Sequence, residues 1–217
     1  MPGTNDKPRV LLADDHKIVL EGLRGLLLED YTLAGMATDG MQLVEMAKDL
    51  NPDVIVADIS MPLLNGIDAV RKLRQEGVLC PVVILTMHPD VIYASRALEA
   101  GASGYVLKHA ASDELVTAIE EARRGRVFIS PAIDSNALAE FTSEARRSVR
   151  DTIELTPRQR DVLQLLAEGK SAKEIGGILE ISPRTVETHK YKMMDDLGLE
   201  SSAQLVQYAI KHGLVGG

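Results

Sequence analysis

Five side chains in the first half of the chain combine into a chemistry that none of them carries alone: Asp14, Asp15, Asp58, Thr86 and Lys108. Each stands at the end of a short apolar run. RVLLA (Arg9–Ala13) leads into Asp14 and Asp15, and DVIVA (Asp53–Ala57) leads into Asp58. PVVILT (Pro81–Thr86) ends in Thr86 itself, and GYVL (Gly104–Leu107) leads into Lys108. A buried charge is costly unless something pairs it, and several carboxylates share a site only with a cation. All-oxygen ligands select a hard ion, and a few carboxylates plus water suit octahedral Mg2+. A lysine and a threonine hydroxyl beside such an ion suit a phosphoryl group, whose transfer depends on positioning and charge neutralisation. Asp58 is then the candidate nucleophile, forming an aspartyl phosphate. Taken singly, Asp14-Asp15 reads as a solvated strand end or helix cap, Lys108 as a surface lysine and Thr86 as a strand terminus. Only the set, delivered to one edge, reads as a site. His16, His88 and His109 lack metal-ligand spacing and are set aside. The methionines read as packing residues.

The elements that must deliver this set follow from hydrophobic period. Five β-like runs, the four above and TLAGMA (Thr32–Ala37), alternate with segments of helical spacing. Ile18, Leu20, Leu23, Leu26 and Leu27 form one such stripe; Leu43, Val44, Met46, Ala47 and Leu50 form another. Strand and helix alternating five times predicts an α/β doubly wound five-stranded parallel sheet with helices on both faces. Its functional crevice lies at the carboxyl ends of the strands, where strand order reverses. The fifth helix is expected to start at Ser112, a good N-cap followed by Asp113 and Glu114.

After about Ser130 the pattern changes. Residues 131–150 read as a partly helical linker with the basic residues Arg146, Arg147 and Arg150. From Thr156 everything is helical. Thr156-Pro157-Arg158-Gln159 and Ser171-Ala172-Lys173-Glu174 have capping-box spacing, the first with proline at the first helical position. Ser182-Pro183 opens a third helix and Ser201 or Ser202 a fourth. The expected organisation is 1–130, 131–150 and 151–217. Ser171–Leu199, with a turn at about Glu180–Ile181, has a helix-turn-helix pattern, with Ile175, Leu179, Val186 and Met193 facing inward.

Composition narrows the function class. The 217 residues are 45 % hydrophobic, enough for a globular core, and no apolar run is long enough to span a bilayer. One cysteine, Cys80, rules out an internal disulfide framework, and no apolar signal core precedes it, so a cytoplasmic protein without membrane attachment is expected. A net charge of −8 argues against coating nucleic acid by bulk charge, and 3 % aromatics without tryptophan argues against base-stacking platforms.

The first half resembles the receiver domain of two-component response regulators across essentially its whole length. The ordered motifs are DDH at 14–16, DISMP at 58–62, NG at 65–66, LT at 85–86 and GYVLK at 104–108. The resemblance implies a flavodoxin-like fold in which Asp58 accepts phosphate from a sensor histidine kinase. It implies Mg2+ held by Asp14, Asp15, Asp58 and the backbone carbonyl of Ser60, with Lys108 on the phosphoryl oxygens. Thr86 and Tyr105 would form a switch pair, the hydroxyl moving to the phosphate and the ring turning inward. Such a receiver catalyses only its own phosphotransfer and slow dephosphorylation. Two departures stand out. His109 follows Lys108 where many receivers have proline, and Ser60 and His88 occupy the positions that flank the attacking water in the family.

The second half resembles the LuxR-type DNA-binding domain through LTPRQRDVL (155–163), GKSAKEI (169–175) and ISPRTVETH (181–189), and the order of domains resembles the NarL/FixJ family. The resemblance implies double-stranded DNA binding as a dimer, with the last helix contributing to dimer contact and RNA polymerase as a further candidate partner. By position, Glu187, Thr188 and Tyr191 are candidates for base edges, and Arg184, Thr185, Lys190 and Lys192 for phosphates. Asp195-Asp196 depart from the family's basic or neutral residues, and Gly176-Gly177 sit inside a helix. From Asp151 onward there are ten acids against eight Lys and Arg, so weak non-specific binding is expected. Two rival readings stand beside a phosphorylation-switched transcription factor. An aspartate-nucleophile phosphatase would carry a second aspartate where Ser60 stands. A phosphorylation-independent DNA-binding or scaffold protein would have lost part of the acidic set.

Overall fold

The computed structural model describes residues 7–133, 138 and 155–211. The chain divides into two compact units, Met1–Phe141 and Thr142–Gly217. Most of the expected linker, including Arg146, Arg147 and Arg150, lies outside the described residues.

The first unit alternates strand and helix: β1 (Arg9–Ala13), α1 (Lys17–Leu27), β2 (Thr32–Ala37), α2 (Gly40–Leu50), β3 (Val54–Ala57), α3 (Gly66–Gln75), β4 (Val82–Thr86), α4 (Val91–Glu99), β5 (Gly104–Leu107), α5 (Ala111–Arg123) and β6 (Phe128–Ile129). The strands pair in parallel in the order β2-β1-β3-β4-β5-β6. Side chains alternate across the sheet and so build two cores. Leu11, Ala13, Ile55, Ala57 and Ile84 pack with α2, α3 and α4 on one face. Val10, Leu12, Val54, Val56 and Val83 pack with α1 and α5 on the other. β3 and β4 are buried at every position, which is why they read as continuous apolar runs.

Three expectations need correction. The sheet has six strands, not five. Phe128 and Ile129 pair with Gly104 and Tyr105 at the edge; two residues are too few to show a period. The fifth helix begins at Ala111, one residue before Ser112, because a 3-10 turn over Lys108–Ala110 carries the chain into it. Its cap, Ala110, makes no side-chain hydrogen bond, though Asp113 and Glu114 do fall in the first turn. Finally, Ile18 is 84 % exposed while Leu20, Leu23 and Leu27 are buried. Two residues back from Leu20 is the far side of a helix.

The second unit is α6 (Pro157–Ala167), α7 (Ala172–Ile178), α8 (Pro183–Asp196) and α9 (Ser202–Lys211). Both capping boxes form as expected, with Thr156 paired to Gln159 and Ser171 to Glu174. Ser182 caps α8 through Thr185 N–H, and Ser201 Oγ accepts from Gln204 N–H. Val162, Leu163, Leu165, Ile175, Val186, Met193, Leu205 and Ala209 form the core; Leu179 is only half-buried. The turn between α7 and α8 passes through Glu180 at φ 56, and the Arg158 guanidinium donates to Leu179 O.

The two glycines of α7 have different reasons. A Cβ at Gly176 would lie 2.7 Å from Ile181 O, so the α7–α8 turn closes only over a glycine. A Cβ at Gly177 meets nothing within 4 Å. Gly176→Ala is therefore expected to destabilise the second unit by about 1–3 kcal/mol through overpacking. Gly177→Ala is expected to stabilise it by up to about 1 kcal/mol through helix propensity. Denaturant titration of both variants checks the opposite signs.

Candidate functional site

The strand order reverses between β1 and β3, and there the crevice opens. The ladder continues one residue past both strands: Asp14 N–H donates to Ala37 O (3.1 Å) and Asp58 N–H to Ala13 O (2.9 Å). The carboxylates are thus placed by backbone hydrogen bonds. The loop after Asp58 is pinned from below. A Cβ at Gly66 would lie 2.0 Å from Asp58 O, so only glycine lets α3 start against this backbone. Asn65, buried beside it, caps α3 by accepting from Asp68 N–H (2.9 Å). The NG pair at 65–66 therefore positions Asp58.

Lys108 joins the acids. Its Nζ lies 2.6 Å from Asp14 Oδ2 and 2.7 Å from Asp58 Oδ2. Both carboxylates are almost wholly buried, at 1 % and 4 % exposure. Their other oxygens accept backbone N–H groups, Asp14 Oδ1 from His16 (2.9 Å) and Asp58 Oδ1 from Ile59 (2.7 Å). Burial pushes the Asp58 carboxyl up, against the opposing pull of Lys108 and with a further push from Asp14. Burial alone would lower the Lys108 ammonium; its hydrogen bonds to Asp14 and Asp58 outweigh that and hold it above the ordinary lysine value. Lys108 is a permanent cation between two anions, so one negative charge of the three groups stays uncompensated.

Asp15 is the exposed member of the acidic set. Carboxylate oxygens of Asp14 and Asp15 and a ring nitrogen of His16 lie within 4.8 Å of one another. His16 Nδ1 is 2.8 Å from Asp15 Oδ1 and 3.3 Å from Asp14 Oδ1. Sequence reasoning set His16 aside, and its adjacency in DDH was the available signal. Two carboxylates of which one is open to water, with a third in Asp58 and a residual negative charge, form a donor set that fits Mg2+. The His16 ring is 64 % exposed.

Thr86 ends β4 fully buried, beside Leu107 in the register of β5. Its Oγ1 accepts from His88 N–H (3.3 Å). The Tyr105 ring is completely buried, and its hydroxyl donates to His88 O (2.8 Å). Burial pushes this phenol far up, so it remains a donor. The ring already occupies the inward position expected of the switched state. Ser60, half-buried, contacts His88 Nε2 at 3.2 Å.

In the second unit the DNA-contact candidates fall on three parts of α8. Arg184, Thr188, Tyr191 and Lys192 are exposed, Tyr191 at 61 %. Thr188 Oγ1 donates to Arg184 O (2.9 Å), and the Thr185 hydroxyl is 2.8 Å from Ser182 Oγ within the cap. Glu187 and Lys190 form an ion pair with each other, beside the buried face, and Lys190 Nζ lies 5.0 Å from the Tyr191 ring centre. His189 is half-buried. Residues 184, 188, 191 and 195 follow helical spacing along one stripe, so the exposed Asp195 shares the face of the contact candidates.

Two outcomes follow. A carboxyl whose pKa rises on folding binds protons more readily when folded, so its ionised form costs stability once the pH exceeds the raised value. At pH 7 Asp58→Asn removes that cost, and the thermal midpoint of the first unit is expected to rise by a few degrees, on the order seen for ~1 kcal/mol. Calorimetry reads it; a lowered midpoint would mean that the Lys108 pair outweighs burial. In the second unit, Asp195→Asn is expected to tighten binding to duplexes of unrelated sequence by about 0.5–1 kcal/mol, through lost repulsion of phosphate. Fluorescence anisotropy at fixed salt measures it.

Residues 10–120 match the response regulator receiver domain, and residues 154–209 match the luxR family of bacterial regulatory proteins. Transcriptional regulatory protein MctR of Rhizobium johnstonii is 38 % identical over 214 residues, which cover 96 % of each chain. The RcsB response regulator of Salmonella typhimurium, solved in a study of DNA interaction, shares 27 % identity over 94 % of this chain and 96 % of its own, with a TM-score of 0.64. A structure of the RcsB–DNA complex shares 27 % identity over 94 % and 98 %, with a TM-score of 0.56. Matched by both family descriptions in order and by a full-length relative above 30 % identity, this chain belongs to the two-component response regulators, with a receiver domain followed by a LuxR-type DNA-binding domain.

Proposed function

We propose that Asp58 is the phosphoacceptor and that its phosphorylation by a sensor histidine kinase controls dimerisation and DNA binding of the helical unit. One observation carries this reading: a half-buried ammonium, Lys108, bridges the buried Asp14 and Asp58 at the reversal point of the sheet. Mg2+ would be held by Asp14, Asp15, Asp58 and the Ser60 carbonyl, and it would supply charge neutralisation at the phosphoryl oxygens. The Asp58 carboxylate attacks phosphorus; the O–P bond forms as the N–P bond of the kinase phosphohistidine breaks, and the leaving imidazole takes up a proton. Asp58 Oδ1 accepts from Ile59 N–H and Oδ2 from Lys108; Oδ2 is the oxygen assigned to the attack, because the ammonium beside it can pass to the incoming phosphoryl oxygens. Lys108 then exchanges a carboxylate oxygen for a phosphoryl oxygen, remaining paired throughout.

The switch follows from what Thr86 and Tyr105 touch. A phosphoryl group adds negative charge and strong acceptors. The Thr86 hydroxyl turns toward it, and its bond with His88 N–H adjusts. Tyr105 is inward here, so phosphorylation acts by holding this arrangement against one in which the ring leaves. It can do so only by its differential interaction with the two. The helical unit reads duplex DNA through α8, with Thr188 and Tyr191 toward bases and Arg184 and Lys192 toward phosphates. Glu187 and Lys190 take part only after giving up their mutual pair. No helix among the described residues is long and apolar enough to cross a membrane, in keeping with a cytoplasmic regulator that acts with RNA polymerase.

The test uses the full chain on a duplex selected from a random pool. Chain treated with acetyl phosphate and Mg2+ is expected to bind it more tightly than resting chain and to sediment as a dimer. Asp58→Asn should behave as resting chain under both conditions. Equal affinity and mass for treated and resting wild type would refute the switch.

A further inference from the structure

His88 was set aside on sequence grounds, yet four contacts converge on it. Its N–H donates to Thr86 Oγ1 (3.3 Å) and its carbonyl accepts from the Tyr105 hydroxyl (2.8 Å). Its Nε2 lies 3.2 Å from Ser60 Oγ, on the loop that follows Asp58. Its ring stacks on Tyr93 of α4, with centroids 4.4 Å apart and planes 12° from parallel. The backbone of this residue therefore holds both members of the switch pair. Its side chain is fixed at one end by a hydrogen bond and across its face by an aromatic ring, so it cannot turn without breaking both.

We propose that His88 is a positioning residue that couples the occupancy of Asp58 to helix α4 through its stack on Tyr93. The coupling deepens the phosphorylation switch proposed above and rests on it. When the Thr86 hydroxyl engages a phosphoryl group, the acceptor of His88 N–H moves while the carbonyl stays tied to Tyr105. The His88 peptide follows, and the imidazole carries the displacement onto Tyr93. That ring is nearly buried, and Ala94 and Ala97 beside it belong to the core against the sheet. A close-packed interior transmits such a shift rather than absorbing it. The bond to Ser60 is a second arm only in the sense the resemblance already implies: both residues flank the attacking water, so the lifetime of the acyl phosphate reads that bond. The two arms are separable, because Tyr93 meets the face of the imidazole while the bond to Ser60 leaves from Nε2.

The plain alternative is that His88 and Tyr93 merely cover each other. The test separates the two with the full chain, using beryllium fluoride with Mg2+ as the phosphoryl mimic. It reads the gain in dimerisation by sedimentation and, separately, the decay of acyl phosphate after acetyl phosphate is removed. Tyr93→Leu removes the flat partner and is expected to cut the gain in dimerisation about three- to tenfold, the range an aromatic pair corresponds to. Its acyl-phosphate decay should match wild type. Tyr93→Phe keeps the ring and should match wild type in both. His88→Ala should lose the dimerisation gain and also change the decay, since Ser60 is released. A full gain in Tyr93→Leu, or an equal loss in Tyr93→Phe, would overturn the coupling. A wild-type chain that gains nothing from the mimic would overturn the switch itself, and the coupling with it.

Discussion

A single ammonium group held between two buried carboxylates sets the terms for the whole first unit. Lys108 reaches both Asp14 and Asp58 because their strands, β1 and β3, are neighbours at the reversal of the sheet while its own strand, β5, lies two places beyond β3. Removing Lys108 would leave two uncompensated buried carboxylates, whereas removing Asp58 leaves Lys108 and Asp14 matched, so the cluster adds little stability of its own. The arrangement is therefore weak as a source of stability and strong as a poised site. One negative charge remains in excess, Asp58 is pushed up by burial, and the cation is fixed. What relieves the excess is a further cation, and what exploits the fixed ammonium is an incoming group with several anionic oxygens. Mg2+ and a phosphoryl group have those properties.

How much of this was legible depended on whether a signal was local. Strands buried on both faces announced themselves as apolar runs, and the residue closing each run was the one that reached the site. The capping boxes at Thr156 and Ser171 were equally readable, since three residues contain the whole interaction. Signals that depend on the fold were missed. Phe128–Ile129 becomes a strand only because β5 offers it an open edge. Ser112 lost the cap position to a 3-10 turn that no local pattern required. His88 had no metal-ligand spacing, and three of its four contacts come from residues 5 to 28 positions away in sequence. His16 is adjacent to the acids in sequence, and it is the folded loop that turns its ring onto them.

The helical unit presents a tension rather than a settled design. Its recognition helix carries Arg184 and Lys192 outward, but Asp195 shares their stripe and Glu187 holds Lys190. From Asp151 onward the acids outnumber Lys and Arg. A surface of this kind gains little from phosphate neutralisation alone; in the function proposed above, sequence contacts and a second copy of the chain would supply more of the affinity. That is the situation in which a receiver controlling dimerisation has most leverage. A unit binding tightly as a monomer would leave phosphorylation little to change.

The central claim is chemical, that Asp58 and no other carboxylate takes the phosphoryl group. Borohydride reduces an acyl phosphate to the alcohol, converting a phosphorylated aspartate into homoserine. Chain incubated with acetyl phosphate and Mg2+, then reduced and mapped by peptide mass spectrometry, should show homoserine at position 58, and EDTA should abolish it. Homoserine at Asp14 or Asp15 with Asp58 unmodified, or none anywhere, would contradict the site.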